Sequence, residues 1–557
     1  MYARIARFRR AIFAGRLLHL MLALICTCAI SLSAASVASA GALYAAATHS
    51  QKHHGKSNDS KNKTPAIVTE SGPLKGIING NISEFLGIPY AAPPVGNLRW
   101  MPPQSFGRWN GLLDASTFGN QCTQGGGGSE DCLFLNIYVP NFKKNANKHG
   151  GGATPVMFWI HGGALTAGAG SDFDPTPLVN QGVIVVTINY RLGYLGFFAE
   201  TALDSEGHDA GNYGLMDQQF AMKWVQRNIG QFGGDPSNVT MFGESAGGHS
   251  VYCNLASPTA AGLFAHAISE SGSYLMFDNF ITSIVTLPVG ESTGNGFVPG
   301  GNSVASFLGC TTAACLRAVS NTEMVSLQPG TLYAFVDGTL LTETPAQAFA
   351  DGHFNQVPVI AGTNHDEWRI FVAEQYDANG NPILTEPEYD AATIALWGPL
   401  LGPIIPFLYP YVPPGGQVLG ASGTDGVFAC SARNGDELLS NFTNTYAYEF
   451  NDENAPPQPP PAGLSFPLGA YHGSEIQYLF DTGFFFELTA PQQQLSAAMV
   501  SYWTNFAATG DPNGGTLPTW SLYNPTTDVF QSFIPPTPTT ESTFNTDHMC
   551  DSFWNLI

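Results

Sequence analysis

The sequence predicts an α/β protein in which helices flank a large, mostly parallel central sheet. From about residue 64 onward, short β-branched or aromatic runs alternate with amphipathic stretches, which is the pattern of successive βαβ units. Two runs, Val156–Ile160 and Val183–Ile188, are apolar at nearly every position, as expected of strands that are buried on both faces. A hydrophobic fraction of 44% over 557 residues is enough for the core that such a fold requires.

The later elements follow along the chain without an internal repeat. Four further strands are predicted from short apolar runs: Val239–Phe242, Ala265–Ile268, Val357–Ala361 and Tyr446–Phe450. Three helices are predicted from apolar periodicity or from small residues that suit packing on a sheet: 216–229, one that begins at Ala246, and 495–508. Three Pro/Gly-rich stretches predict loops that pass over the sheet and form a cap or the wall of a gorge: 289–302, 410–425 and 454–468.

The first forty residues have the order of a secretory signal. Arginines up to Arg16 precede an apolar run over 17–32, and a small-residue stretch ends at Ala38-Ser39-Ala40. This order predicts a signal peptide over residues 1–40, cleaved after Ala40, and export to the medium or the periplasm. The alternative is an uncleaved signal anchor. Residues 41–64 are rich in His, Lys, Ser and Asn and predict a flexible linker, so that 65–557 remains as one domain.

The charge balance excludes one class of partner. The chain has 21 Lys and Arg against 43 Asp and Glu, for a net charge of −22. This excess repels phosphate backbones, so we expect no nucleic-acid binding. No apolar run after the signal is long enough to span a bilayer, so we expect no membrane span in the mature chain. The sequence indicates no particular oligomeric state.

The segment Gly243-Glu244-Ser245-Ala246-Gly247 has the G-x-S-x-G pattern of a serine nucleophile. The pattern alone is weak in a chain with 62 glycines, and a glycine-rich turn with an inert serine is the alternative. Its setting between a predicted strand and a predicted helix is that of the nucleophile turn in α/β-hydrolases. That turn holds the hydroxyl above the sheet at a helix N-terminus, where the dipole favours negative charge. The sequence therefore predicts an α/β-hydrolase fold with Ser245 as nucleophile.

A second glycine-rich segment, His161-Gly162-Gly163-Ala164, follows the predicted strand 156–160. In this fold, one arm of the oxyanion hole lies at that place. Small residues let backbone N–H groups face the substrate, so Gly163 and Ala164, together with Ala246, are candidate donors. A plain glycine turn is the alternative.

The base and its orienting acid must lie downstream, because this fold orders its triad as nucleophile, acid and histidine. His472 is a late candidate, and Glu367 follows the predicted strand 357–361. Asp366 competes with Glu367, and physical reasoning alone does not separate them. Position alone also allows three other histidines: His353, His365 and His548.

Seven cysteines follow the predicted signal, and in an exported protein these predict disulfides with one thiol left over. Cys253 lies on the apolar face of a predicted helix and is the candidate for a buried free thiol. The close pairs 122/132 and 310/315 would close small loops, and 430/550 would tie the last residues to the body of the protein. Zinc binding is the alternative, although no CxxC pair supports it.

Four longer segments carry a family resemblance. They are Phe85–Ala91 (FLGIPYA), Pro93–Arg99 (PPVGNLR), Ser129–Leu133 with Leu135-Asn136, and Phe232–Pro236 (FGGDP). Together with the serine motif they closely resemble the type-B carboxylesterase family, which includes the cholinesterases, from about residue 65 to the end.

This resemblance implies specific roles. The acid is implied to be Glu367 and the histidine His472, with oxyanion donors at Gly163, Ala164 and Ala246. Three buried hydrogen-bonding residues around the histidine are also implied, with ordinary buried polar structure as the alternative: Glu244, Ser271 and Glu475. The implied disulfides are Cys122–Cys132, Cys310–Cys315 and Cys430–Cys550.

One departure from the family narrows the expected activity. Cholinesterases carry, within the first disulfide loop, an aromatic residue that stacks on a quaternary ammonium, whereas Thr123–Asp131 here contains none. We therefore expect hydrolysis of small-molecule carboxylic esters through an acyl-enzyme intermediate, without choline selectivity and without a metal or organic cofactor. The alternatives are a lipase acting on longer-chain acylglycerols and a non-catalytic cholinesterase-like binding protein.

Overall fold

The computed structural model describes residues 65–141, 152–208, 211–274, 286, 290, 292, 300–457, 463–481 and 487–557. The predicted signal peptide and linker, residues 1–64, lie outside the described residues, as does most of the stretch 289–302. None of the helices in the described ranges combines the length and the apolar character needed to cross a bilayer.

The strands are short, and several alternate with helices along the chain. In chain order they are β1 Ala66–Thr69, β2 Gly72–Lys75, β3 Ile77–Asn79, β4 Ile82–Pro89, β5 Leu113–Asp114, β6 Phe134–Pro140, β7 Thr154–Ile160, β8 Ile184–Ile188, β9 Phe197–Phe198, β10 Gly211–Asn212, β11 Gly234–Glu244, β12 His266–Glu270, β13 Val359–Asn364, β14 Thr445–Phe450, β15 Phe530–Phe533 and β16 Thr539–Glu541. The six strands predicted from the sequence correspond to β7, β8, β11, β12, β13 and β14.

The helices range from single turns to five turns. They are α1 Thr176–Val179, α2 Gly193–Gly196, α3 Thr201–Asp204, α4 Tyr213–Asn228, α5 Ala246–Ala256, α6 Gly301–Phe307, α7 Ala313–Ala318, α8 Asn321–Leu327, α9 Pro345–Asp351, α10 Arg369–Val372, α11 Glu386–Leu401, α12 Ile405–Leu408, α13 Gly415–Gly423, α14 Cys430–Ser440, α15 Ala490–Thr509 and α16 Phe544–Asp547. The three helices predicted from the sequence correspond to α4, α5 and α15. Two π-helical segments, Ala373–Asp377 and Thr424–Ala429, continue α10 and α13.

Among the described residues, eleven strands form one sheet in the order β16-β15-β14-β13-β12-β11-β7-β8-β6-β4-β3. Neighbouring strands are parallel from β8 through to β15 and antiparallel at the two edges. The large, mostly parallel central sheet is therefore as predicted. The parallel arrangement brings the carboxyl ends of β7, β11, β12 and β13 to one edge, where an α/β fold places its ligand site.

The central strands are buried on both faces, as their continuous apolar sequences predicted. On β7, Val156, Phe158 and Ile160 pack into one apolar cluster, while Met157 and Trp159 pack into another. This alternation follows from the two-residue period of a strand. The first cluster also contains apolar residues of α4 and α5, and the second contains residues of α15, so helices cover both faces.

The stretch 410–425 differs from the prediction of a loop, because residues 415–423 form α13. Glycine weakens a helix by about 1 kcal/mol relative to alanine, which is why the composition indicated a loop. Here the glycines permit close packing: a Cβ on Gly416 would lie 2.3 Å from the Phe466 ring, and one on Gly423 would lie 2.2 Å from the Trp368 ring. Tertiary packing therefore overrides the local preference.

Three disulfides join the pairs that the family resemblance implied: Cys122–Cys132, Cys310–Cys315 and Cys430–Cys550. The last closes a loop of sequence separation 120 and ties the C-terminal residues to the start of α14. Cys253 is a buried free cysteine on α5, as predicted.

Candidate active site

Ser245 forms the turn between the end of β11 and the start of α5. Its φ of 55° and ψ of −122° place a non-glycine residue in a sparsely populated conformation. Such a conformation costs on the order of 1–3 kcal/mol and persists only where the surroundings hold it. Two backbone hydrogen bonds of 2.8 Å do so: the Ser245 N–H donates to the Glu270 carbonyl on β12, and the His249 N–H donates to the Ser245 carbonyl.

The glycines of the serine motif are required by close backbone packing. A Cβ on Gly247 would lie 2.0 Å from the Ile160 carbonyl oxygen, and one on Gly243 would lie 2.6 Å from the same atom. Both distances are far shorter than any van der Waals contact of a Cβ atom, so a side chain at either position would clash with β7. The first turn of α5 therefore packs directly on the end of β7, which carries the candidate oxyanion segment.

His472 connects Ser245 to Glu367. Its Nε2 lies 2.8 Å from the Ser245 Oγ, and its Nδ1 lies 2.5 Å from the Glu367 Oε2. Both are hydrogen-bond distances, so the imidazole can accept a proton from the serine while the carboxylate holds its other nitrogen. His472 is 227 residues from Ser245 and 105 residues from Glu367 in sequence, and the fold brings the three side chains into contact.

Glu367 is fully buried and held at the carboxyl end of β13. Its Oε1 accepts hydrogen bonds of 2.8 Å from the Thr363 hydroxyl and from the Asn364 backbone N–H. The other oxygen, Oε2, faces His472. The two hydrogen bonds from the end of β13 therefore fix the plane of the carboxylate.

The residues that competed on position have other partners. Asp366 pairs with Arg369 at 2.7 Å, and its other oxygen accepts from the Ala470 N–H. The competing histidines contact carboxylates outside the Ser245–His472–Glu367 group: His353 contacts Glu343, and both His365 and His548 contact Glu449. The geometry therefore separates Glu367 from Asp366, which physical reasoning from the sequence left open.

The segment after β7 turns sharply beside the serine. Gly163, Ala164 and Leu165 all have positive φ, of 100°, 57° and 58°. A Cβ built on Gly162 would lie 3.1 Å from the Ser245 Cβ, so this segment runs directly along the nucleophile. Neither the Gly163 nor the Ala164 N–H donates a hydrogen bond to another described residue. Ala246 is the first residue of α5, and its N–H has no partner within the helix. These three predicted donors therefore remain available to a substrate oxygen.

Glu244 lies on the other side of His472. Its Oε1 is 3.3 Å from the same Nε2 that faces Ser245. Burial raises the pKa of Glu244 to about 7, although the nearby His472 opposes the shift. Burial alone would lower the pKa of His472, but the carboxylates of Glu244 and Glu367 raise it to about 9. The two carboxylates therefore stabilise the imidazolium that a general base becomes.

The other two residues implied by the family resemblance, Glu475 and Ser271, differ in their side-chain hydrogen bonding. Glu475 is buried, and its Oε2 accepts a hydrogen bond from the Asn364 side chain, which links it to the strand end that holds Glu367. Burial raises the pKa of the Glu475 carboxyl well above its ordinary value. Ser271 is also buried, with a φ of 50°, but its hydroxyl has no hydrogen-bond partner among the described residues. Its backbone N–H instead donates to Gly362 at 2.9 Å.

Sequence reasoning missed the aromatic and acidic surroundings of His472. The rings of Phe371 and Phe428 lie 5.2 and 5.0 Å from the imidazole, between centroids. Burial raises the pKa of Glu374, on the π-helical segment that follows α10, to about 7, while His472 lowers it. Phe371 and Glu374 follow Glu367 by about one and two helical turns, and this spacing could have indicated that they lie near the site. Nothing in the sequence near Phe428 pointed to the site.

Two groups of histidines and carboxylates within the described residues are compact enough to hold a metal ion: His365, Glu449 and His548, and Glu343, Asp351 and His353. In the first group Glu449 already lies 2.9 Å from His365 and 2.7 Å from His548. Asp425 contacts the remaining nitrogen of His548 at 2.6 Å. The ligand atoms are thus hydrogen-bonded to one another, and neither group includes Ser245, His472 or Glu367.

Comparison with known proteins places this site in a family context. The model of the carboxylesterase family matches residues 63–395 and 417–551. Acylcarnitine hydrolase of Mus musculus is 34% identical over 87% of this chain and 90% of that protein. Para-nitrobenzyl esterase of Bacillus subtilis is 33% identical over 82% of this chain and 92% of that protein. A solved structure of a PNB esterase has a TM-score of 0.71 and 29% identity, and the match covers 89% of this chain and all of that one.

Proposed function

Because this chain belongs to the carboxylesterase family and is a carboxylic ester hydrolase of the α/β-hydrolase fold, we propose that Ser245, His472 and Glu367 carry out its reaction. The observation that carries this proposal is the unbroken line of contacts from the Ser245 Oγ through His472 to Glu367, at 2.8 and 2.5 Å. A serine hydroxyl attacks an ester only when a base removes its proton, and this arrangement supplies the base and its orienting acid.

The proposed reaction has two steps. In the first, His472 Nε2 takes the Ser245 proton while the Oγ attacks the ester carbonyl, and the imidazolium then protonates the departing alcohol oxygen. In the second, His472 takes a proton from the water that attacks the acyl-serine carbonyl, and the imidazolium returns that proton to the Ser245 Oγ as the acyl–oxygen bond breaks and the acid leaves. Glu367 stays ionised and holds Nδ1 throughout.

We further propose that the N–H groups of Gly163, Ala164 and Ala246 bind the oxyanion of each tetrahedral intermediate. The support for this is that they lie on the two segments that meet at Ser245 and are free of other described partners. Loss of one donor of this kind costs about 2.7–4 kcal/mol of transition-state stabilisation in comparable sites.

Small-molecule esters are the substrate class of this family, and the finer specificity is a proposal. The loop between Cys122 and Cys132 is short and carries no aromatic residue, so we propose that quaternary ammonium esters have no special advantage. A non-catalytic binding role has no support in the site, since all three side chains of the proposed triad are present and in contact.

We also propose that the chain is exported after removal of residues 1–40. Three disulfides support this, because they persist in oxidising compartments. N-terminal sequencing of the protein recovered outside the cytoplasm would then begin at Gly41, whereas a chain that still begins at Met1 would point to a signal anchor.

The catalytic proposal is tested by turnover of p-nitrophenyl acetate. Ser245→Ala should lower kcat by at least a thousandfold, because the nucleophile is lost while the oxyanion donors remain. Ser273→Ala is the control and should retain activity, since Ser273 is buried and its hydroxyl has no hydrogen-bond partner among the described residues. Full activity in Ser245→Ala would overturn the assignment.

A further inference from the structure

One long segment of the chain carries no charge. Between Asp390 and Asp425 there is no Asp, Glu, Lys, Arg or His, in a protein with 43 acidic and 21 basic residues. We refer to residues 391–424 as the uncharged segment. It comprises most of α11, all of α12 and α13, and the turns between them. The carboxylesterase family model leaves residues 396–416, the middle of this segment, unmatched.

Several apolar side chains of the uncharged segment face solvent. Phe407 is 84% exposed, Val412 59% and Ile404 45%. Two further exposed apolar residues of the segment, Ile394 and Leu400, lie on α11. A single exposed apolar residue is ordinary, but several on one uncharged excursion mark an interaction surface.

The base of this excursion is firmly packed. Ile405, next to the exposed Ile404, is fully buried, and the Tyr389 hydroxyl donates to the Tyr409 carbonyl at 2.7 Å. The rings of Trp397 and Trp554 lie 4.6 Å apart between centroids. The exposed side chains are therefore held outward by a fixed scaffold.

The same excursion is joined to the active site. Its helix α13 packs on α10, where a Cβ on Gly420 would lie 2.7 Å from the Arg369 side chain. Two residues further along α10, the Phe371 ring contacts the His472 imidazole at 5.2 Å. A surface that binds through the uncharged segment is thus connected to the catalytic histidine through one pair of packed helices.

We propose that the uncharged segment docks this enzyme on the surface of aggregated, water-insoluble, uncharged esters. The transfer of apolar side chains from water to such a surface is favourable. No charged group of the segment has to be desolvated with them. The net charge of −22 disfavours an anionic surface, which is why the partner is an uncharged one. This inference rests on the proposed function, because docking serves a site that cleaves esters.

The test separates binding from turnover. Adsorption to tributyrin droplets is measured by depletion from the aqueous phase, with the chain in its Ser245→Ala form so that the droplets persist. Phe407→Ser and Ile404→Ser in that background should each lower the partition coefficient at least tenfold. Phe307→Ser is the matched control, since Phe307 is 76% exposed on α6, outside the uncharged segment, and it should leave adsorption unchanged.

Turnover is then compared in chains that retain Ser245. Phe407→Ser should slow hydrolysis of emulsified tributyrin and leave the rate with dissolved p-nitrophenyl acetate unchanged. Equal adsorption of Phe407→Ser and its parent would overturn the proposal, as would equal binding to vesicles of anionic phospholipid. A dimer in ultracentrifugation that Phe407→Ser dissociates would also overturn it, since a second copy would then cover the surface. Failure of the proposed function is distinguishable, because it would appear as unimpaired p-nitrophenyl acetate turnover in Ser245→Ala.

Discussion

The Glu244 Oε1 lies 3.3 Å from the His472 Nε2, the nitrogen that also faces the Ser245 hydroxyl at 2.8 Å. One imidazole nitrogen is therefore shared between the nucleophile and a buried carboxyl group. This carboxyl is a main reason that the pKa of His472 is raised to about 9 despite burial, which lowers it. The enzyme gains a stabilised imidazolium, but the neutral base becomes abundant only at higher pH.

The first prediction concerns the pH profile. Glu244→Gln removes one negative charge beside His472, so the pKa of the histidine should fall. The acid limb of kcat/KM, which reports the free enzyme, should therefore move to lower pH, by about one unit or more. The profile is measured with p-nitrophenyl acetate from about pH 6 to about pH 10.5, so that the window extends past the raised His472 pKa of about 9 and below the ordinary His value.

Glu270→Gln is the control for that experiment. Glu270 is the register partner of Glu244 on β12 and equally buried, but its carboxyl accepts from Trp503 at 2.7 Å instead of facing His472. Burial raises the pKa of Glu270 to about 8, so the two carboxyls share buried surroundings and differ in which side chain they face. An equal shift in both variants would contradict the role given to Glu244.

The second prediction concerns the hydrogen bonds that position the Glu367 carboxylate. Thr363→Val removes a 2.8 Å hydrogen bond to the Oε1 of Glu367 while preserving side-chain volume. We expect kcat to fall by about tenfold with KM nearly unchanged, since about 1–1.5 kcal/mol of orientation is lost. Thr187→Val removes a comparable hydrogen bond, from Asn136 at 3.0 Å on the same sheet, and should leave kcat unaltered. Equal kcat losses in the two variants would indicate a general loss of stability.

The third prediction concerns packing at the nucleophile turn. Gly247→Ala would set a methyl group 2.0 Å from the Ile160 carbonyl, so either α5 or β7 must shift. We expect a loss of about 2 kcal/mol or more in the free energy of unfolding, typical of overpacking, together with loss of activity. Gly230→Ala is the control, because a Cβ there meets nothing within 4 Å. Urea unfolding followed by tryptophan fluorescence measures both.

The fourth prediction concerns His548, which lies between Asp425 and Glu449 at 2.6 and 2.7 Å. Burial lowers its pKa, but the two carboxylates raise it well above 6.5. A raised pKa in the folded state stabilises the fold below pH 6.5, and this contribution disappears as the pH rises through the folded-state pKa. The pKa of Glu449 is held well below 4.5 by its histidine neighbours, against the effect of burial, so its contribution is present above pH 4.5.

The Tm difference between the wild type and His548→Gln should therefore be largest between pH 4.5 and 6.5 and shrink towards alkaline pH. Thermal unfolding in a series of buffers measures this difference. His353→Gln, at an exposed histidine, should show no such trend. A Tm difference for His548→Gln that grows with pH would contradict the assigned ion pairs.

The sequence predicted the parallel centre of the sheet because strands such as β7 and β8 are buried on both faces and are therefore apolar at nearly every position. It did not resolve the short antiparallel edge strands β3 and β16, which lack that continuous pattern. The helix α13 was missed because its glycines are selected by contacts with Trp368 and Phe466, which are distant in sequence.

Some residues of the site could be predicted from the sequence and others could not. The turn around Ser245 has a local motif, so its position could be read directly. Choosing Glu367 over Asp366 required the family resemblance, because adjacent carboxylates differ only in which way the backbone points them. Phe428 approaches His472 through tertiary packing alone, whereas Phe371 lies four residues after Glu367 in sequence. The hydroxyl of Ser271, implied to be a hydrogen-bonding partner, has no hydrogen-bond partner among the described residues.

The central claim is that Ser245 is the nucleophile that His472 activates. The most direct measurement is mass spectrometry of peptides after reaction with diisopropyl fluorophosphate, which phosphorylates an activated serine. We predict one adduct per chain, on the peptide that contains Ser245, and a labelling rate at least a hundredfold lower in His472→Gln. An adduct on another serine, or a labelling rate that His472→Gln leaves unchanged, would contradict the account.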